Sequence, residues 1–253
     1  MLYVKTSRGD LFYTLSQGPK GTPTLVLVHG AGGTRLHWPA ELRRTPDATV
    51  YTLDLPGHGR SGGQGCDTIA TYAESVAAFL RAVEVEHAVI AGHSMGGAIA
   101  LALALDFTER VTGLVLMATG ARLRVAPTIL ERIRDDFEET TKLITRFAWS
   151  SQAPPQLTGL GRQALTETGP DVLWGDFTAC DRFDVMERLE EIETPTLLIA
   201  GSVDQLTPVK YAQYLNENIA GARLVTIEGA GHMIMLEHPG KVARAVEDFL
   251  KTL

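Results

Sequence analysis

The stretch Ala88-Val89-Ile90-Ala91-Gly92-His93-Ser94-Met95-Gly96-Gly97-Ala98-Ile99-Ala100-Leu101 reads as a short apolar strand, a sharp turn and an Ala/Leu-rich helix. Its centre, Gly92-His93-Ser94-Met95-Gly96, fits G-x-S-x-G, a pattern that is informative where strand and helix flank it. A nucleophile on so tight a turn has a strained backbone, and side chains two residues to either side would collide there. Small residues are therefore needed there, and Gly92 and Gly96 meet that need. The turn sets the Ser94 hydroxyl above the sheet at a helix N-terminus, where unpaired amides favour developing negative charge.

Outward from this point the same grammar repeats. Residues 24–28, 50–53, 88–91, 114–117, 196–200 and 223–227 are short, apolar and rich in branched side chains, as strands covered on both faces are. Helical patterns lie between them at 68–83, opened by the capping-box spacing Thr71-x-x-Glu74, and at 95–106, 208–219 and 239–250. Residues 2–6 and 11–16 alternate around Ser7-Arg8-Gly9-Asp10 as an opening hairpin. The expected fold is α/β, with a mainly parallel central sheet and helices on both faces. The alternation stops over 121–192, where the text is helical and charged. We read 1–120 and 193–253 as one core domain and 121–192 as an inserted helical cap or lid.

Composition narrows the function classes. The 253 residues carry 23 Lys plus Arg against 30 Asp plus Glu, a net charge of -7, which leaves no broad cationic surface for nucleic acid. No run approaches the ~20 apolar residues of a membrane span, and the start lacks a leader pattern, so a cytoplasmic protein is expected. Cys66 and Cys180 are expected to be thiols, and metal-binding spacings such as His-Glu-x-x-His are absent from the sequence.

A serine hydroxyl needs a base, and the base an orienting acid. Six of the seven histidines fall in Gly-rich turns or at element ends, or occupy the variable elbow position. His232, in Gly229-Ala230-Gly231-His232-Met233 after the last strand, reaches the carboxyl edge of the sheet, where open α/β sheets carry their sites. Asp204 follows the penultimate strand onto the same edge, giving the chain order Ser94, Asp204, His232. Asp54, at another strand end, is the reserve acid. The tetrahedral oxyanion needs two amides: Met95 N–H and one from His29-Gly30-Ala31-Gly32-Gly33, with Ala31 favoured and Gly32 second.

These residues, together with Asp54-Leu55-Pro56-Gly57-His58-Gly59-Arg60-Ser61, resemble the α/β-hydrolase fold serine hydrolases over nearly the whole chain. The resemblance implies a carboxylesterase of small to medium acyl esters acting through an acyl-enzyme, with no cofactor or metal and a small-molecule ester as its partner. Lactone or enol-lactone hydrolysis, and carbon–carbon bond hydrolysis with Arg162 or Arg182 holding an acid tail, are the alternatives within the fold. A slow-turnover ligand receptor is the alternative of another class. Substrate-binding candidates are Gly30, Gly32, Leu36, Trp38, Phe137, Phe147, Trp149, Trp174 and Met233, with Ile144 and Phe177 beside them. Arg122, Arg124, Arg132 and Arg134 lie among acidic residues and read as a solvated helix face.

Overall fold

The computed structural model describes residues 2–7 and 9–253; Met1 and Arg8, the latter in the expected hairpin turn, lie outside the described residues. Strands β1 (Leu2–Thr6) and β2 (Gly9–Ser16) form the antiparallel hairpin, and β2 pairs antiparallel with β4 (Thr49–Leu53). The remaining pairings are parallel, through β3 (Thr24–Val28), β5 (Ala88–His93), β6 (Val111–Met117), β7 (Thr196–Gly201) and β8 (Arg223–Ile227). Strand order is β1-β2-β4-β3-β5-β6-β7-β8. From β3 the chain steps outward to β4 and then returns past it to β5, so the winding reverses between β3 and β5. A crevice opens at the carboxyl ends of strands where that happens.

Strand side chains alternate between the two faces. Val26, Val28, Ile90, Leu114 and Leu116 pack with α2 (Ile69–Ala82) and α3 (Met95–Asp106). Leu25, Leu27, Val89, Val115 and Met117 pack on the other side with α1 (Ala40–Arg43), α9 (Ile234–Glu237) and α10 (Pro239–Leu250). Every residue of α3 from Met95 to Leu105 is buried, which explains why its sequence is apolar all round rather than striped. Helix α8 (Lys210–Asn218) starts two residues later than the sequence suggests.

The start of α2 departs from expectation in its chemistry. Its cap is Thr68, whose hydroxyl oxygen accepts from the Thr71 amide at 3.2 Å, so Thr71 lies inside the first turn and Thr71-x-x-Glu74 is not a capping box. Both threonines fit a cap by sequence, but the earlier one lies where the backbone is still extended.

Between β6 and β7 the chain forms α4 (Pro127–Asp135), α5 (Phe137–Ala148), α6 (Pro155–Thr168) and α7 (Pro170–Arg182). Ile133, Ile144, Leu165 and Leu173 give these helices an apolar cluster of their own. Ala179 and Cys180 of α7 join the main core beside α3. Among the described residues no helix is long and apolar enough to cross a membrane.

Candidate active site

Ser94 caps α3 with φ 54° and ψ −118°, a conformation that a non-glycine residue holds only under constraint from its surroundings. The constraint is visible. Its amide donates to the Met117 carbonyl of β6 (2.9 Å), and its carbonyl accepts from Thr119 Oγ1 (2.8 Å) and from the Gly97 amide (2.9 Å). A Cβ on Gly92 would collide with the Gly96 carbonyl, and one on Gly96 with the Val28 carbonyl, so both elbow glycines are required by backbone contact.

Asp204 and His232 come from the loops after β7 and β8, held together by the Val203 amide on the Ala230 carbonyl (3.0 Å). His232 Nδ1 donates to Asp204 Oδ2 at 2.9 Å. The carboxylate also accepts from the Leu206 amide (2.8 Å), the Thr207 amide (3.0 Å) and the Thr207 hydroxyl (2.7 Å). Burial alone would raise the Asp204 pKa; the His232 charge and these donors outweigh it and hold the group at about 2. Asp54 is committed elsewhere, to the Arg35 amide and guanidinium and the Arg60 amide, so the reserve assignment lapses.

Ser94 and His232 line one cavity of about 480 Å³. Its wall is mostly apolar, from Leu123, Val125, Ile129, Ile144, Phe147 and Trp149 with Leu165, Phe177 and Met233. Of the expected substrate-binding residues, Phe147, Trp149 and Met233 are there, as are Ile144 and Phe177. The rest are not. Trp38 is fully buried against α1 and the sheet, Leu36 is exposed, and Phe137 lines a separate groove with Glu138 and Arg162. Trp174 stacks under Arg134, 3.7 Å from ring centroid to guanidinium. Gly30 supports the elbow from below, where a Cβ would press on His93 and Ser94. Gly32 is turned toward Leu165 and Leu173, and its amide donates to Asp176 (2.8 Å), so it is spent as an oxyanion donor. The amides of Ala31 and Met95 have no acceptor among the described residues. Arg124 is exposed, as expected, and also lines the cavity, while Arg162 and Arg182 are both exposed, which takes away the support for an acid-tail pocket.

Sequence reasoning missed the histidines behind the site. His93 packs against His232, ring centroids 4.8 Å apart, and its Nε2 donates to the His232 carbonyl (3.0 Å). His29 Nδ1 donates to Gly30, while its Nε2 accepts from Leu55. His37 also lines the cavity. Burial first, then neighbouring histidines, pushes all three down: His37 to about 4, His29 and His93 well below their ordinary value. His58 is the opposite case. Its two ring nitrogens face the Pro56 carbonyl (3.0 Å) and the Asp176 carboxylate (2.8 Å), which only accept, so the ring keeps both protons. Burial lowers its pKa, but the charge and hydrogen bond of Asp176 outweigh burial and raise it.

A group raised in the folded state contributes stability that is full below its unfolded pKa of about 6.5 and lost as pH rises through the folded value. The difference in Tm between wild type and His58→Gln is therefore expected to be widest near pH 6 and to shrink in alkaline buffer. A gap that is constant with pH would mean that the ring is neutral in the fold.

Two further contacts join the segment between β6 and β7 to the histidine loop. The Met233 amide donates to the Ala148 carbonyl (3.1 Å), and Glu237 accepts from both the Gly231 amide (3.2 Å) and the Ser150 amide (3.3 Å).

The architecture has counterparts among known proteins. Pimeloyl-[acyl-carrier protein] methyl ester esterase of Neisseria meningitidis is 30% identical over 248 residues, covering 92% of this chain and 95% of that protein. A hydrolase from Pseudomonas aeruginosa PA01 superposes with a TM-score of 0.88 at 34% identity, over 98% of this chain and 97% of that one. A thermophilic esterase gives 0.87 at 32%, over 99% and 97%. Residues 25–245 match the family model itself, a span that runs from β3 into α10 and contains the elbow, both loops and the helices between β6 and β7, and the chain belongs to the alpha/beta hydrolase family.

Proposed function

We propose that this chain hydrolyses carboxylic esters of small to medium acyl groups through a covalent intermediate on Ser94. The observation that carries the reading is the buried His232–Asp204 pair opening onto the same cavity as a serine held at a strained strand-to-helix turn. In this mechanism His232 Nε2 takes the Ser94 proton as the hydroxyl oxygen attacks the ester carbonyl. The tetrahedral oxyanion is held by the Ala31 and Met95 amides. The alcohol departs with the proton from His232, and water then repeats the cycle on the acyl-enzyme to release the acid. Asp204 keeps the Nδ1 proton on His232 and stabilises the imidazolium. The apolar wall supports an acyl chain as the occupant, and residues 121–192 act as its cap. Relatives that carry the name methyl ester esterase, and structural neighbours at 32–34% identity described as a hydrolase and an esterase, support the same bond class.

The test pairs initial rates on p-nitrophenyl esters from acetate to decanoate with inactivation by an alkyl fluorophosphonate. Turnover that peaks at intermediate chain length, and falls in step with one adduct per chain on the Ser94 peptide, is the expected result. Turnover that persists in fully labelled protein, or an adduct on another residue, would overturn the assignment. Stoichiometric labelling without turnover of any ester would favour the slow receptor.

A further inference from the structure

Ala31 and Gly32 are the two central residues of a tight turn closed by the Gly33 amide on the Gly30 carbonyl (3.0 Å), with Gly32 at φ +61°. A turn with positive φ at its third residue costs little for glycine. Here both peptide planes around Gly32 are fixed from outside by the helical insertion. Its amide donates to Asp176 Oδ2 of α7 (2.8 Å), and its carbonyl accepts from Thr168 Oγ1 at the end of α6 (3.0 Å), which shares its one proton with the Ala164 carbonyl of the same helix (3.0 Å). Leu165 and Leu173 close over the same residue, leaving no room for a side chain. Asp176 is itself fully buried and held by His58 Nε2 (2.8 Å) and by the Tyr72 hydroxyl of α2. A carboxylate with three donors, none of them exchangeable for water, has one position.

We propose that Asp176 and Thr168 are positioning residues for the oxyanion loop: by gripping the two sides of Gly32, the insertion sets where the neighbouring Ala31 amide points. The insertion that shapes the acyl pocket thereby also tunes the electrophilic half of the chemistry. This rests on the serine-hydrolase reading above.

An amide displaced by a fraction of an ångström loses contact with the oxyanion while leaving the ground-state complex almost unchanged. The defect therefore falls on kcat and on ligands that carry tetrahedral negative charge. Thr168→Val keeps the shape of the side chain and removes only the hydroxyl. We expect about a tenfold lower kcat with KM within about twofold of wild type. An alkylboronic acid, which takes the Ser94 oxygen into a tetrahedral boronate as His232 accepts the proton, weakens by the same factor. The corresponding alkyl carboxylic acid, a product analogue without that geometry, binds as before. Thr168→Ser retains the hydroxyl and restores kcat and boronate affinity. Asp176→Asn is expected to show the larger effect in the same direction; if it does not fold, the Thr168 pair decides the matter alone.

A Thr168→Val enzyme with unchanged kcat and boronate affinity, or with boronate and carboxylate weakened equally, would overturn the proposal while leaving the hydrolase reading intact. A wild-type enzyme that neither turns over esters nor binds boronate through Ser94 would fail the hydrolase reading first, and the positioning role with it.

Discussion

Replacing Ser94 by alanine is expected to lower kcat on the best p-nitrophenyl ester by on the order of 10⁶-fold, to the background left by the oxyanion amides and binding alone. The size follows from the unit behaviour of the proposed nucleophile, base and acid: without the oxygen, the proton relay has nothing to serve. The fold has no reason to change. The hydrogen bonds that hold the turn run from the Ser94 amide to Met117 and to the Ser94 carbonyl from Thr119 and Gly97, all to its backbone, and alanine keeps them. A Tm near that of wild type beside lost turnover is the combined result to look for. A fall of only tenfold, after contaminating esterase is subtracted, would place the nucleophile elsewhere.

Asp204→Asn should cost about 10⁴-fold in kcat, and the hydrogen bonds explain why so conservative a change does so much. The Leu206 and Thr207 amides both point at Asp204 Oδ1, so an asparagine must turn its oxygen toward them. Its NH₂ then faces His232 Nδ1, which becomes an acceptor, and the imidazole proton moves to Nε2. That tautomer offers Ser94 a proton where it needs a base. Nitrogen chemical shifts of His232 report the tautomer directly, and an unchanged Nδ1–H form with full activity would remove Asp204 from the mechanism. The acid side of the stability profile changes as well. With a folded pKa of about 2, Asp204 contributes stability above its ordinary value of 3.8 that disappears as pH falls through 2, and the asparagine variant lacks that contribution.

Local chemistry was legible in the sequence wherever it is written in consecutive residues. That small residues must flank Ser94 is readable from G-x-S-x-G between a strand and a helix, and the carbonyls at Gly92 and Gly96 narrow the requirement to glycine. Parallel strands were equally readable, since burial on both faces writes a continuous apolar run at β3, β5, β6 and β7. What failed depends on contacts across the chain. Trp38 and Trp174 are large and apolar, as pocket residues are, yet one is buried in the core on the α1 side of the sheet and the other lies beneath Arg134; side-chain type alone does not separate lining from filler. Leu123 and Val125 line the cavity from an irregular segment that has no period to read. Asp176 did leave a signal. It stands three residues after Leu173 and four before Cys180, on an apolar stripe of α7, and a carboxylate on such a stripe has to find donors indoors. His58 offered no comparable sign, because the residue that holds its proton is 118 positions away.

The helices between β6 and β7 touch the core at both halves of the proposed chemistry, at Gly32 through α6 and α7 and at the histidine loop through Ala148, Ser150 and Glu237. For protein engineering this divides the segment unevenly. Residues 123–147, including α4 and most of α5, carry cavity-lining side chains without bonding either loop, and are the place to build libraries for acyl preference. A chimera that exchanges the whole of 121–192 with a relative brings in a foreign grip on Gly32 and the histidine loop, and its turnover number will report that mismatch before its selectivity can be measured. Grafts that end at Phe147, in the last turn of α5, with the recipient's own 148–182 retained, avoid the confusion.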